Sequence, residues 1–394
     1  MNEMKYDAFV VGGGPAGSTA AWDMARAGLK VALLDRAGRI KPCGGAIPPR
    51  LIRDFDIPDH LLVAKITSAR MISPTGRFVD IPIENGFVGM VDREDYDEWL
   101  RERAGKAGAE RLTGTWLRIE RDSGKTVVVW RDKVTGEEMK AETRVVIGAD
   151  GANSQVRNEV PATKIPLVFA YHEIIKAPTT VANYDPTRCD VYYDGRISPD
   201  FYGWVFPHGK TASIGMGTEL PDVSLKDCTT LLRQMSGLDK EETIRKEGAP
   251  IPLQPLDVWD NGKDVVLSGD AAGVVAPSSG EGIYYAHAGG RYAAEAAMAF
   301  LKSGKPADLK LARAGFMKEH GTVFKVLRMM QDKYYHSDDR RERFVSLCHD
   351  VDVQRMTFES YMNKKMTKFQ PLKNLKIGFK NLAHLSGLVP PQWT

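Results

Sequence analysis

The stretch "YDAFVVGGGPAGSTAAWDMARAGLKVALLDR", residues 6–36, decides the fold. "DAFVV" is a short apolar run, as in a strand buried on both faces. Gly12, Gly14 and Gly17 match G-x-G-x-x-G, and Ala21 follows at a helix-packing position. Pro15 and Ala16 open a helix that Gly28 stops. "KVALLD" is a second strand. It ends on Asp35, 18 residues after Gly17, with Arg36 beside it. Glycines permit a tight turn and close backbone approach, helix-start amides suit a pyrophosphate, and a strand-end acid suits a ribose hydroxyl. Strand, turn, helix, strand and acid together predict a dinucleotide-binding βαβ unit.

Outward from this unit the pattern stays mixed. Strand-like "ARMISPTG" and "FVDIPI" precede an amphipathic helix in "DREDYDEWLRERAGKAG". Residues 115–151 look like consecutive hairpins with "SGK" and "TGE" turns, ending in the strand "VVIGADG". More strands follow in "CDVYYD", "YGWVFP" and "TASIGMG". A strand, a glycine-rich crossing and an Ala-rich helix then fill "DVVLSGDAAGVVAPSSGEGIYYAHAGGRYAAEAAMAFL".

The expected class is α/β (α+β). A discontinuous Rossmann-like domain would take residues 1–72, 93–160 and 261–302. An antiparallel-sheet substrate domain would take 73–92 and 161–260, and a helical C-terminal region 303–394.

Composition narrows the function classes. The net charge of +3 gives no global basic field, so no nucleic-acid partner is expected. Six lysines and no acids lie from Tyr361 onward, leaving about −3 for the rest. In this tail Leu372, Leu375, Phe379 and Leu382 share a helical stripe flanked by Lys373, Lys376 and Lys380. The stripe suits either peripheral attachment to anionic lipid or docking on its own domain. "MNEMKYD" has no apolar core of a signal peptide, and no apolar run reaches about 18 residues, so the expected place is cytoplasmic, neither secreted nor membrane-spanning. Cys43, Cys189, Cys228 and Cys348 lack metal-ligand spacing, and no metal is expected.

Three glycine–acid signatures coexist: the βαβ unit, "GADGANSQVR" at 148–157 and "GDAAGVVAPSSGEGI" at 269–283. The set resembles the flavoprotein hydroxylase superfamily, whose members bind FAD. The resemblance implies that Asp150 shapes the FAD site and that Asp270 holds the ribityl chain. It puts the helix start at Gly280, Gly282 and Ile283 by the pyrimidine end of the flavin. "VDREDYDEWL" matches the family's Arg-bearing helix start and puts Arg93 on the flavin side. Helix-start amides would stabilise negative charge on reduced flavin. Read from the residues alone, a turn-forming or helix-capping residue is the competing, less favoured reading of each Asp. Gly273 stands where many hydroxylases carry His, and Glu281 separates the glycines of "GEG". Both depart from a hydroxylase pattern.

"KPCGGAIP", residues 41–48, and "FYGWVFPHGKTASIGMG", residues 201–217, resemble the geranylgeranyl reductases. "VQRMTFESYMNKK", residues 353–365, looks like their chlorophyll and bacteriochlorophyll branch. The resemblance implies FAD-dependent saturation of isolated double bonds in a geranylgeranyl group, on a pigment or as the diphosphate, giving phytyl after three reductions. NADPH or reduced ferredoxin is the implied donor, although no second dinucleotide fingerprint is present. A pigment substrate implies contact with an inner photosynthetic membrane.

Tyr202, Trp204 and Phe206 alternate, so on a strand they share a face that can wall an apolar tunnel or fill an ordinary core. Burying about 18 prenyl carbons at about 0.8 kcal/mol each bounds the tail's contribution near 14 kcal/mol. Ordering the chain removes much of that. Affinity is therefore easy, and the chemistry is harder, because an isolated alkene has no carbonyl to polarise. It needs precise positioning and a proton source. Cys43 and Tyr202 are the candidate catalytic residues, with Gly44 and Gly45 allowing the Cys43 loop close to flavin or substrate. A small buried hydrophobe is the competing reading of Cys43. Tyr284 and His287 are weaker acid candidates. An archaeal-type geranylgeranyl lipid reductase, an FAD monooxygenase or halogenase, and a non-catalytic prenyl carrier are the rival readings.

Overall fold

Strand Met4–Val11, helix Pro15–Arg26 and strand Val31–Asp35 form the βαβ unit that the opening pattern predicts. Ala8 to Val11 are buried, as an apolar run flanked by parallel neighbours requires. Pro15 occupies the first turn, where its missing amide costs nothing, and Gly28 ends the helix at φ +83°. The computed structural model describes residues 4–38, 40–84, 86–122 and 124–364. It divides the chain into two units. Among the described residues, one contains 4–41, 93–167 and 250–322; the other contains 42–92, 168–249 and 323–364.

In the first unit, parallel strands run in the order 110–113, 31–35, 4–11, 141–148 and 265–267. Strand Lys125–Asp132 pairs antiparallel with the remaining lengths of Glu110–Asp122 and Glu138–Gly148, giving the expected hairpins. Helix Ile283–Ser303 crosses helix Pro15–Arg26 at backbone distance. That closeness explains its composition: Ala293, Ala294, Ala296 and Ala297 are fully buried. Trp259, Tyr285, Phe316 and His320 form a ring cluster that ties residues 311–322 to this unit.

The second unit holds a seven-stranded sheet. Its order is Thr243–Pro252, Leu167–Lys176, Thr211–Thr218, Gly203–His208, Arg188–Tyr192, Ser68–Ile72 and Phe78–Pro82. Helix Leu225–Ser236 packs through Leu232 into a core with Ile175, Val205, Ile214 and Met216. Ser224 caps that helix and Gly237 ends it at φ +73°. A smaller sheet pairs Ala46–Ile47 and Leu62–Ile66 with Val88–Val91.

These units differ from the expected boundaries. Residues 42–72 belong with the substrate-side sheet rather than the Rossmann-like one, because Ser68–Ile72 finds its backbone partners in Arg188–Tyr192 and Phe78–Pro82. The described residues after 303 form no separate region. Those through 322 pack with the first unit, while Tyr335 and Phe344 pack on Tyr193 in the second. The stripe from Leu372 to Leu382 lies outside the described residues. No helix among the described residues is long and apolar enough to cross a membrane.

Candidate functional site

The first unit carries a tight glycine turn at the start of helix Pro15–Arg26. A Cβ at Gly12 would come to 2.2 Å of the Ala149 carbonyl oxygen, and one at Gly17 to 1.8 Å of the Gly12 carbonyl oxygen. Only glycine permits this turn. Gly14, by contrast, faces open space, and no N-cap side chain bonds the helix's first-turn amides. Asp35 accepts from the Gly13 amide at 2.9 Å and from the Ala37 amide at 2.9 Å. Arg36 next to it is exposed.

Asp270 is buried at the end of its strand and forms an ion pair with Lys41. It faces the helix start: a Cβ at Gly282 would lie 3.7 Å from its Oδ1. Ile283 begins that helix, and Gly280 turns the chain before it at φ +63°. The Glu281 carboxylate accepts from the Tyr284 amide at 2.8 Å, so this residue caps the helix from inside the glycine pair.

Two expected site residues are engaged locally. Asp150 accepts from Ser154 Oγ at 2.5 Å and from the Gln155 and Val156 amides at 2.7 and 3.2 Å. It caps the turn at Val156–Glu159, the alternative that the sequence left open. Arg93 is buried and makes a two-pronged pair with Asp97, at 2.9 and 2.7 Å, on its own helix. Sequence reasoning also missed three cations: Lys41; Arg101, which donates to the Gly13 carbonyl at 3.3 Å; and Arg157. Burial lowers Arg157 below the usual guanidinium range against the pull of Asp150 and Asp270. Lys41 and Arg157 lie inside quoted motifs, but nothing in their spacing marks them. An open helix terminus, a strand-end acid and nearby cations fit FAD as the bound dinucleotide.

His287 is fully buried. Its Nδ1 meets Thr19 Oγ1 and its Nε2 meets Tyr96 Oη, each at 2.7 Å, joining three helices. Burial, helped by Arg103, Arg93 and Arg291, drives its pKa well below the usual value, so the ring is neutral. Tyr284 stacks edge-on against His320.

The second unit brings the other candidates together. Rings of Tyr193, Tyr202, Trp204 and Phe206 form a continuous row with centroids 6.1, 6.1 and 6.2 Å apart. Tyr202 lies one residue before strand Gly203–His208, yet its ring still joins the row. Val205, between Trp204 and Phe206, points into the opposite core with Leu232. Burial pushes the Tyr202 phenol up, and Tyr335, Cys43 and Cys189 add to it, so the phenol keeps its proton at neutral pH.

Behind the row runs a buried polar chain. Trp204 Nε1 donates to Ser213 Oγ at 3.1 Å, and Ser213 Oγ lies 2.8 Å from His172 Nδ1. An indole can only donate, so Ser213 Oγ accepts from it, and the histidine tautomer sets the direction of the contact with Nδ1. On the ring's other side His172 Nε2 lies 3.0 Å from Glu247 Oε2. Burial would raise the Glu247 carboxyl, but His172 and Arg245 outweigh it and hold it below the usual range.

The Cys43–Gly45 loop packs on the end of this row. A Cβ at Gly44 would lie 3.2 Å from the Phe206 ring. The Gly45 amide lies 3.4 Å from Cys43 Sγ, and the thiol is half-buried. Among the described residues no cluster of His, Cys, Asp or Glu is arranged to hold a metal.

Comparison with known proteins shows the family. Residues 76–311 match the FAD binding domain family, and residues 10–56 match the NAD(P)-binding Rossmann-like domain family. The chain is 38% identical to a chloroplastic geranylgeranyl diphosphate reductase of Oryza sativa subsp. japonica, across 95% of this chain and 85% of that one. It is 37% identical to a geranylgeranyl diphosphate reductase of Synechocystis sp., across 95% of this chain and 97% of that one. A geranylgeranyl bacteriochlorophyll reductase-like protein from Thermoplasma acidophilum shares the fold, with a TM-score of 0.81 and 23% identity over 95% of this chain and all of that one.

Proposed function

We propose a function on one premise: the chain belongs to the geranylgeranyl reductase family of FAD-binding proteins. It reduces isolated carbon–carbon double bonds of a geranylgeranyl chain, and the head group is a diphosphate or an esterified (bacterio)chlorophyll. When bound and reduced, FAD supplies the hydride equivalent for each double bond. The chain's own residues do the rest. Gly12, Gly14, Pro15, Ala16 and Gly17 receive the dinucleotide phosphates, and Asp35 takes a ribose. Asp270 and the helix start at Gly282–Ile283 hold the cofactor's other end.

Tyr202, Trp204 and Phe206 give the prenyl chain an apolar wall that excludes water. Cys43 and Tyr202 are the candidate proton donors at that wall, and one of them completes each addition at the second alkene carbon. NADPH or reduced ferredoxin replenishes the cofactor. The basic tail after Met366 brings the protein to anionic membrane, which liposome flotation with and without that segment tests.

One observation carries the reading: a row of rings in contact, ending under a glycine-paired loop that bears a thiol. The test is product analysis. Purified protein is incubated with geranylgeranyl diphosphate or geranylgeranylated pigment and a chemical reductant, and the prenyl tails are resolved by mass. Successive gains of two hydrogens support the reading; unchanged tails on both substrates with FAD bound overturn it.

A further inference from the structure

His208 directly follows the aromatic run, and the flavin and prenyl roles leave it unused. Its side chain is 6% exposed. Nε2 lies 2.9 Å from the carbonyl oxygen of Gly44. A carbonyl only accepts, so Nε2 carries a hydrogen and donates it. On the other side of the ring, Nδ1 lies 3.4 Å from Asp92 Oδ1. A hydrogen bond from His208 outweighs burial and holds the Asp92 carboxyl below its usual range, with Arg245 adding to the effect.

The loop is shaped to receive this ring. Gly45 sits at φ +70°, and a Cβ there would come to 2.5 Å of His208 Cε1 and equally close to the Val91 carbonyl oxygen. The Val91 amide donates to the Gly45 carbonyl at 2.9 Å. The two carbonyls following Cys43 are thus each held by a separate donor, one from the aromatic strand and one from strand Val88–Val91. A peptide pinned at both carbonyls leaves little freedom for the thiol between it and the preceding proline.

We infer that His208, with Asp92 as its counter-group, is the positioning residue that fixes the Cys43–Gly45 loop on the end of the aromatic strand. The inference deepens the proposed function, since it names what aims the thiol, and its test does not depend on the substrate. The His208 ring is buried against the partly exposed Gly44, so its hydrogen bond to the Gly44 carbonyl sets the loop's opening equilibrium.

The experiment measures iodoacetamide alkylation of the full-length, FAD-loaded protein by peptide mass mapping. Cys228, half-buried on helix Leu225–Ser236, is the internal reference. Loss of one such bond, about 1 kcal/mol, makes His208→Ala raise the Cys43-to-Cys228 alkylation ratio about fivefold. His208→Gln, whose amide can donate to the same carbonyl, restores a ratio near wild type. An unchanged ratio in His208→Ala, or a glutamine variant as reactive as the alanine one, overturns the clamp. Should His208→Ala not fold, Asp92→Asn takes its place, with a smaller rise expected and an unchanged ratio overturning the inference. Absence of prenyl reduction in the wild-type protein would remove the functional reading alone, leaving the alkylation comparison intact.

Discussion

Gly290 lies so close to Ala16 that a methyl group at position 290 would come to 2.2 Å of the Ala16 carbonyl oxygen. Ala16 belongs to the first turn of the helix that forms the phosphate cradle, so the packing of a distant segment sets the cradle's geometry. Gly290→Ala adds helix propensity yet forces the two helices apart. Overpacking of this kind costs about 1–3 kcal/mol, more than the roughly 1 kcal/mol gained in propensity. The variant is expected to melt lower and retain less FAD per chain, measured by calorimetry and by the flavin-to-protein absorbance ratio.

Asp270 and Lys41 make a second paired test. Asp270→Ala leaves the lysine without its partner and removes the acid that faces Gly282. Loss of a charge-assisted contact is worth about 1.5–3 kcal/mol, so FAD affinity should fall roughly tenfold or more. Equal affinity in a titration of apoprotein with FAD would remove Asp270 from the cofactor site.

Cys43→Ala and Tyr202→Phe separate the two candidate proton donors. The one that donates should lose turnover by about a hundredfold, a typical contribution of a general acid, with FAD content intact. Unchanged turnover in Cys43→Ala would return that thiol to the role of a small packing group.

The chain from Trp204 to Glu247 predicts coupling. Ser213→Ala strands the Trp204 indole and His172 Nδ1 together, at a cost of about 1–3 kcal/mol in urea unfolding. A double-mutant cycle of Ser213→Ala with His172→Ala should give a coupling energy of about 0.5–3 kcal/mol. Additive losses would mean that the serine and histidine act separately.

Acid sensitivity of the first unit should run through Asp264. Burial opposes its ionisation, but Arg121, Asn261 and Thr126 more than compensate and lower its pKa. A depressed folded-state pKa gives stability that is present above the ordinary carboxylate pKa and is lost as pH falls through the folded value. Asp264→Asn should therefore cost about 1–3 kcal/mol at pH 7, discounted for the half-open Arg121. The gap from wild type should narrow as pH falls below the ordinary carboxylate range. A gap that persists unchanged at acid pH would assign the loss to shape rather than charge.

Local chemistry made the βαβ unit readable. Gly12 and Gly17 cannot be replaced without backbone collision, Pro15 and Gly28 mark the helix limits, and Asp35 follows at the end of the second strand. The aromatic row was readable for the same reason: alternation on a strand places Trp204 and Phe206 on one side whatever surrounds them. Tyr202 joined them although the strand begins after it, because a residue flanking a strand keeps the same extended alternation.

Sequence by itself thus determined a dinucleotide cradle, a row of rings and a glycine-paired thiol loop, since each rests on residues close together in the chain. Tertiary structure alone decided which sheet owns residues 42–72, that Asp150 and Arg93 spend their charge on neighbours, and that His208 reaches the Gly44 carbonyl across 164 positions. Backbone pairing and hydrogen bonding between distant segments depend on which groups the folded chain leaves unpaired, and no local pattern records that.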